Sequence, residues 1–234
     1  MTFDYSNLSG RPPGAAIRVL STVLPGVREV QAQVAPYAER WRTANLAALG
    51  RSGPLWVALG DSMTQGIGAS AFDRGWTGQL GPIAGLPTRL VNLSSSGARV
   101  ADVLDRQLPA LFSLGETPDL VTVLIGSNDL IRRRRREEFP AAFADLLAQL
   151  PTGTVVATLP NPSRAAAAGN DALVRAVAEH GLRIAELRDR RTSSWKGKLA
   201  TDHFHPNDAG YAGIAAVFAD AIAGAPSQGV AGQE

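Results

Sequence analysis

Short apolar runs rich in β-branched residues alternate with longer segments of helical spacing from residue 54 onward. The first four runs lack strict apolar–polar alternation, which is typical of strands buried on both faces of a parallel sheet. The predicted strands are 55–59, 89–93, 120–125, 155–159 and, more weakly, 182–187. The predicted helices are 76–84, 100–112, 137–150, 165–180 and 208–223. This alternating order predicts a doubly wound α/β sheet of about five parallel strands with right-handed crossovers.

The first 50 residues follow a different pattern. A Pro-Pro-Gly sequence at 12–14 breaks any regular element, so residues 1–14 are expected to form an irregular arm. Residues 15–50 have helical spacing, and Pro25 and Pro36 favour two short helices over one long helix. We expect their apolar stripe to cover the core. A peripheral position on a membrane surface is the alternative, which the interspersed acidic residues and scarce lysines disfavour.

These patterns predict three parts: an arm and helical extension (1–50), an α/β domain (51–225) and a flexible tail (226–234). No apolar run approaches the length of about 18–20 residues that a transmembrane helix needs. The N-terminus also lacks a basic segment followed by an apolar one, the pattern typical of a signal peptide. We therefore expect no transmembrane segment and a cytoplasmic location.

Composition excludes several kinds of site. The chain has no cysteine, which rules out disulfides, cysteine-ligated zinc, iron–sulfur clusters and a cysteine nucleophile. Its three histidines leave little room for an all-protein zinc site, so we expect no metal and no cofactor. A net charge of +2 is weak evidence for nucleic-acid binding, and we expect no nucleic-acid partner.

Glycines and polar residues follow the strands, at the edge where doubly wound sheets bind ligands. Gly60-Asp61-Ser62 follows the first strand and places a serine where it could act as a nucleophile, although Asp and Ser are also common helix N-caps. The turn contains neither G-x-G-x-x-G nor G-x-x-x-x-G-K-[ST], the glycine motifs that bind dinucleotides and phosphates. Gly97, after the second strand, allows a backbone N–H to approach a ligand or is a simple loop glycine. Asn128, after the third, could donate its amide to an oxyanion or begin a helix.

Two of the three histidines lie just before the last predicted helix, in the segment 201–207. An aspartate three residues before a histidine, as Asp202 is before His205, can orient the imidazole and stabilise its cation. The alternative is a metal site of Asp202, His203 and His205. It is disfavoured because the sequence shows no further cluster of metal ligands.

In this order and spacing, the sequence resembles the SGNH hydrolase superfamily, also called the GDSL esterase/lipase family, over about residues 54–222. The matching blocks are Gly60-Asp61-Ser62, Gly97, Gly126-x-Asn128-Asp129 and Asp202-x-x-His205. Met63 replaces the usual leucine, and His203 stands where glycine is frequent, so we assign His203 no role. The first 50 residues lie outside the resemblance.

The resemblance implies a three-layer α/β/α, flavodoxin-like fold and a serine hydrolase of small-molecule carboxylic esters that needs no cofactor. Ser62 would be the nucleophile, His205 the general base and Asp202 the residue that orients it. The oxyanion hole would comprise the N–H groups of Ser62 and Gly97 and the amide of Asn128. The substrate could also be a lipid or sugar ester.

The same sequence blocks also serve other functions. An acyltransferase or thioesterase, which moves the acyl group from an anionic carrier such as acyl-CoA to an alcohol or sugar, is the main alternative. A non-catalytic binding module on the same fold is more remote, because such a module has no need for the complete set of residues.

Five consecutive arginines follow the Asn128 block: Arg132, Arg133, Arg134, Arg135 and Arg136. They are either a solvated helix start, eased by the two glutamates that follow, or an anion-binding site at the mouth of the active site. Cations at a helix N-terminus oppose the macrodipole, which weighs against the first interpretation.

Overall fold

The computed structural model describes residues 3–12, 14–86 and 89–224. The expected tail at 226–234 lies outside these residues. Within the described ranges, no helix is both long and apolar enough to cross a membrane.

Five parallel strands form one sheet in the order β2-β1-β3-β4-β5. They are β1 (Trp56–Gly60), β2 (Leu90–Asn92), β3 (Leu120–Leu124), β4 (Val155–Ala157) and β5 (Arg183–Ala185). β1 and β3 pair along their full length, from Trp56 opposite Leu120 to Gly60 opposite Leu124. The strand order reverses beside β1, and open parallel sheets bind ligands beyond the strand ends at such a point. The Gly-Asp-Ser and Asn128 blocks follow the ends of β1 and β3 there.

The predicted sheet is confirmed, although β2, β4 and β5 are each shorter than predicted. The fourth apolar run continues to Leu159, but the Leu159 backbone bonds to the Asn170 side chain, at 2.9 and 3.0 Å, rather than to a strand. Apolar residues beyond β4 are therefore buried without extending the ladder.

Helices cover both faces of the sheet. Their bounds are α1 (Ala15–Val23), α2 (Pro25–Ala32), α3 (Val34–Leu49), α4 (Ser62–Gln65), α5 (Trp76–Ala84), α6 (Val100–Asp102), α7 (Leu108–Phe112), α8 (Ser127–Leu130), α9 (Arg133–Gln149), α10 (Arg164–His180), α11 (Arg190–Ser193) and α12 (Asp208–Ala223). A 3-10 turn at Phe72–Arg74 precedes α5, and a π-helical turn at Val103–Gln107 joins α6 to α7.

Two predicted helices, 76–84 and 208–223, match α5 and α12 at both ends. The predictions for 100–112 and 137–150 need correction, because the first contains the π-helical turn and the second begins at Arg133. The arginine run thus lies mostly inside the first turns of α9 rather than before it.

Alternate residues of β1 enter opposite cores. Val57 and Leu59 belong to the cluster that contains Phe139 and Phe143 of α9. Trp56 and Ala58 belong to a second cluster under α5 and α12. Both faces of the strand are therefore buried, as a three-layer α/β/α arrangement requires.

The N-terminal segment forms three helices rather than the two that were predicted. Pro25 is the first residue of α2, and Pro36 lies in the first turn of α3, where a missing N–H costs no hydrogen bond. The break between α2 and α3 falls at Gln33 instead. Val30 and Tyr37 on the apolar stripe are buried and pack on Ile67, so this face covers the protein rather than facing solvent.

Candidate active site

Ser62 lies directly beyond the end of β1, as the first residue of α4. Gly60 has a φ of 154°, and a Cβ there would lie 2.3 Å from Thr64 Oγ1 and 2.4 Å from the Leu124 carbonyl oxygen. Only glycine fits this close approach. Asp61 is the N-cap of α4 and accepts the Met63 N–H at 3.0 Å. The capping interpretation therefore holds for Asp61 and leaves the Ser62 hydroxyl available for another partner.

A chain of hydrogen bonds joins Ser62, His205 and Asp202. His205 Nε2 lies 3.0 Å from Ser62 Oγ, and His205 Nδ1 lies 2.6 Å from Asp202 Oδ2. Ser62 and His205 are only 5% and 6% exposed, so little water competes for these bonds. Residues 143 positions apart in sequence are thus in direct contact, in the order that the sequence blocks predict.

The second oxygen of Asp202 fixes the loop that carries His205. Asp202 Oδ1 accepts the backbone N–H groups of Phe204 and His205, each at 3.0 Å. Burial acts to raise the pKa of Asp202, but the bonds from the His205 ring and from these N–H groups outweigh it, so the pKa is lowered. An ionised carboxylate can only accept, so Nδ1 carries the imidazole proton and Nε2 faces the serine hydroxyl as an acceptor.

The two predicted oxyanion-hole residues outside α4 lie in neighbouring segments: Gly97 in the turn after β2 and Asn128 in α8. Gly97 is exposed, its φ is 76°, and a Cβ there would meet nothing within 4 Å, so the space beside it is open. The Asn128 side-chain nitrogen donates to the Ala98 carbonyl at 2.9 Å and to Asp61 Oδ2 at 3.2 Å. Both amide hydrogens of Asn128 therefore have acceptors within the protein, and the bond to Asp61 is the longer.

Asp61 has a wider role than the sequence indicated. Its Oδ2 accepts the Ser127 hydroxyl at 2.7 Å as well as the Asn128 amide, and its Oδ1 caps α4. Burial raises the pKa of Asp61, which is fully enclosed, and the bonds from Ser127 and Met63 oppose that rise. One carboxylate thus ties the start of the serine helix α4 to the start of α8, which follows β3. The signal available in the sequence was an acidic residue directly after a fully apolar strand.

The histidine loop contains the three residues of the alternative metal site, Asp202, His203 and His205. Among the residues that the structure describes, no three His, Asp or Glu side chains are grouped to hold a metal ion. His203 is exposed and has a φ of 56°, whereas Phe204 places its ring edge-on against His205, with centroids 5.0 Å apart.

Comparison with known proteins settles the family. A sequence profile of the GDSL-like lipase/acylhydrolase family matches residues 58–212, from within β1 into α12. The chain belongs to this family. The matched range includes the predicted blocks of the GDSL protein and excludes α1, α2 and α3. No curated protein matches the chain.

Solved structures similar to this GDSL protein share its fold at low sequence identity. A family 3 carbohydrate esterase from Clostridium thermocellum is 20% identical, with a TM-score of 0.56 over 74% of this chain and 96% of that one. The psychrotrophic esterase EstA from Pseudoalteromonas sp. is 19% identical, with a TM-score of 0.56 over 74% and 98%. The salicylyl-acyltransferase SsfX3 is 19% identical, with a TM-score of 0.52 over 74% and 56%. These likenesses establish the three-layer fold of the SGNH hydrolases.

The five arginines do not form one surface. Arg133 and Arg134 are exposed and pair with Glu137 and Glu138 one turn later, at 3.3 and 3.4 Å. Arg135 is half-buried. Only part of the run therefore turns towards the rest of the protein.

Proposed function

We propose that this GDSL-family protein hydrolyses carboxylic esters of small molecules through an acyl-enzyme formed on Ser62. The observation that carries the proposal is the buried chain of hydrogen bonds from Ser62 Oγ through His205 to Asp202. A serine hydroxyl is a poor nucleophile near neutral pH and needs a base in contact with it. His205 Nε2 lies at the distance a general base requires.

In the first step, Ser62 Oγ attacks the ester carbonyl while His205 Nε2 takes the hydroxyl proton. The imidazolium that forms lies against the Asp202 carboxylate, whose negative charge stabilises it. The imidazolium then gives its proton to the leaving alcohol, which departs as the acyl-enzyme forms. Water repeats the two proton transfers on the acyl-enzyme and releases the acid.

The tetrahedral oxyanion needs donors that are already oriented. Ser62 begins α4, so its N–H has no acceptor within the helix and is available to the oxyanion. We assign the Gly97 N–H and the Asn128 amide as the other donors. For Asn128 this requires that the 3.2 Å bond to Asp61 be exchanged for a bond to the oxyanion. Each such donor is worth on the order of 3–4 kcal/mol in the transition state.

Acyl transfer is the second candidate. The same acyl-enzyme would react with an alcohol or sugar instead of water, and the donor could be a thioester such as acyl-CoA. Product analysis with added alcohols distinguishes the two, because transfer yields a new ester and hydrolysis yields only the free acid.

The test replaces the proposed nucleophile. We expect Ser62→Ala to lower the hydrolysis of 4-nitrophenyl esters by about 10⁵-fold or more, because a triad loses most of its rate with its nucleophile. A fluorophosphonate probe should add its mass to Ser62 in the unmodified protein and label nothing in the variant.

Ser113→Ala is the matched control, since Ser113 is exposed and bonds only within its own helix end, to the Ala110 carbonyl. This control should retain full rate and labelling. Ester hydrolysis that survives in Ser62→Ala would overturn the assignment, and absence of any label in the unmodified protein would favour a binding module.

A further inference from the structure

Arginines from separate parts of the chain meet beside the Gly97 loop. Arg11, in the N-terminal arm, donates to the Gly97 carbonyl at 3.2 Å. It also binds both oxygens of Asp102, at 2.8 and 2.5 Å. Arg99, two residues after Gly97, places its Nε 3.8 Å from the same carboxylate. Two guanidinium groups thus lie next to a residue that we assign to the oxyanion hole.

Arg135 of α9 belongs to the same group of charges. Burial is the main cause that lowers the pKa of Arg135, and repulsion from Arg99, Arg132 and Arg11 lowers that pKa further. α9 also packs against α6, which Arg99 caps.

The acidic groups nearby do not balance these charges. Asp102 already accepts both Arg11 bonds and the Arg99 backbone N–H at 2.8 Å. Asp129, the other carboxylate that acts on Arg135, is buried, and it accepts the Val100 N–H. Among the charges that act on Arg135, three guanidinium groups therefore oppose a single carboxylate, that of Asp129.

We propose that Arg99 and Arg135, with Arg11 beside them, bind a negatively charged oxygen group, carboxylate or phosphate, of the ester that Ser62 attacks. This inference rests on the proposed function and specifies its substrate class: anionic esters. Arg11 contacts the Gly97 carbonyl directly, so an anion held here would lie beside the ester carbonyl in the oxyanion hole. Guanidinium groups form charge-assisted, often bidentate bonds with both kinds of anion.

The charged group could belong to the acyl part or to the leaving group. We would compare mono-4-nitrophenyl adipate, whose acyl part ends in a carboxylate, with 4-nitrophenyl hexanoate, which is neutral and equally long. The second comparison sets hexanoyl-CoA, whose leaving group carries phosphates, against the neutral thioester S-hexanoyl-N-acetylcysteamine. The measured quantity is the ratio of kcat/KM for the anionic substrate to kcat/KM for its neutral partner.

We expect Arg99→Gln and Arg135→Gln each to lower this ratio by about tenfold or more in one of the two comparisons, the loss expected for one charge-assisted hydrogen bond. Arg135→Lys should restore part of it. Arg133→Gln is the matched control on the same helix: its side chain is 94% exposed and paired with Glu137, so the ratio should not change. The comparison that responds identifies which part of the substrate carries the charge.

A ratio that Arg135→Gln leaves unchanged in both comparisons, or that Arg133→Gln lowers equally, overturns the anion site. A binding measurement distinguishes failure of the anion site from failure of the proposed ester hydrolysis. Calorimetry with mono-4-nitrophenyl adipate and hexanoyl-CoA on Ser62→Ala, with and without Arg135→Gln, needs no turnover. Binding that depends on Arg135 without any hydrolysis by the unmodified protein would retain the site and reject the reaction. Binding independent of Arg135 would reject the site.

Discussion

Two buried aspartates flank the Asn128 amide in different ways. Asp61 accepts one of the amide hydrogens, whereas Asp129, the next residue along the chain, turns its carboxylate to the Val100 N–H at 3.2 Å. Burial is the main cause that raises the pKa of both, and raises that of Asp129 to about 6. The folded protein thus holds the Asp129 proton more tightly than the unfolded chain does. At neutral pH, ionisation of Asp129 in the folded protein therefore lowers the free energy of unfolding.

We expect Asp129→Asn to change how stability depends on pH. Between about pH 4 and 6 the unfolded chain has released this proton and the folded protein still holds it, so the Asp129 contribution to stability is lost as pH rises. Asparagine keeps an oxygen for Val100 and cannot ionise. The free energy of unfolding of the variant, relative to the unmodified protein, should therefore rise by about 2–2.5 kcal/mol from pH 4 to pH 7.5 in urea titrations.

Asp145→Asn is the control for this pH dependence, because Asp145 is exposed on α9. It should follow the pH course of the unmodified protein. A difference for Asp129→Asn that stays constant with pH would show that the carboxyl group does not titrate differently in the folded state.

The π-helical turn between α6 and α7 places a side chain, that of Gln107, against the strand end that leads to Ser62. Pro109 has no N–H to donate one turn back, and Leu108 instead bonds five residues back, to the Val103 carbonyl. The turn directs Gln107 onto the end of β1, where its amide accepts the Gly60 N–H and donates to the Gly60 carbonyl, each at 2.8 Å. Gln107 therefore acts on Ser62 through the backbone, as a positioning residue.

We expect Gln107→Met, which preserves the length of the side chain, to lower the free energy of unfolding by about 1–3 kcal/mol. The Gly60 N–H would be buried without an acceptor, whereas its carbonyl would keep the Ser95 N–H at 3.3 Å. Because Gly60 precedes Asp61 and Ser62, kcat for a neutral ester should fall more than KM changes. Chemical denaturation and steady-state kinetics measure the two effects.

Gln149→Met provides the comparison, since Gln149 is exposed at the end of α9 and bonds to a carbonyl of its own helix. It should change stability by less than about 0.5 kcal/mol. Equal effects of the two substitutions would show that the buried bonds to Gly60 contribute nothing.

At the scale of the molecule, the first 50 residues bind the segments at the ends of β1 and β2. Trp41 of α3 donates to the carbonyl of Gln65, the last residue of the serine helix α4, at 3.0 Å. In the arm, Asn7 is buried and donates to the Asn92 and Ser94 carbonyls, both at 2.8 Å. These residues precede the range that matches the family. We propose that residues 1–50 are an extension that folds as one unit with the α/β domain at 51–225.

Replacing Asn7 tests this proposal. We expect Asn7→Ala to lower the free energy of unfolding by about 2 kcal/mol or more, because several buried polar groups would lose a partner. Release of the arm would also remove the Arg11 contact from Gly97, so activity should fall and the arm should be cleaved faster by protease. Asp4→Ala, exposed in the same arm, should do neither. Separate unfolding transitions for arm and domain would contradict a single unit.

The sequence by itself determines the features that leave a local pattern along the chain. Apolar runs identify buried strands because burial on both faces leaves a local pattern, and all five strands were found. Parallel strands end at the same edge of a sheet, so blocks that follow them must meet there. That reasoning placed Ser62, Gly97 and Asn128 at one edge of the sheet. Asp202 and His205 were paired by their spacing of three residues, and the family resemblance then joined this pair to Ser62.

The remaining features depend on side chains that meet from distant segments. The double bond of Gln107 to Gly60, the bridge from Asp61 to Asn128 and the contact of Arg11 with Gly97 leave no local periodicity. The arginine run gives a further example. Arg133 and Arg135 are the same residue type in the same run, and only the packing around them makes Arg133 exposed and Arg135 half-buried. Burial and charge at these positions are properties of neighbours in space, which the folded chain alone brings together.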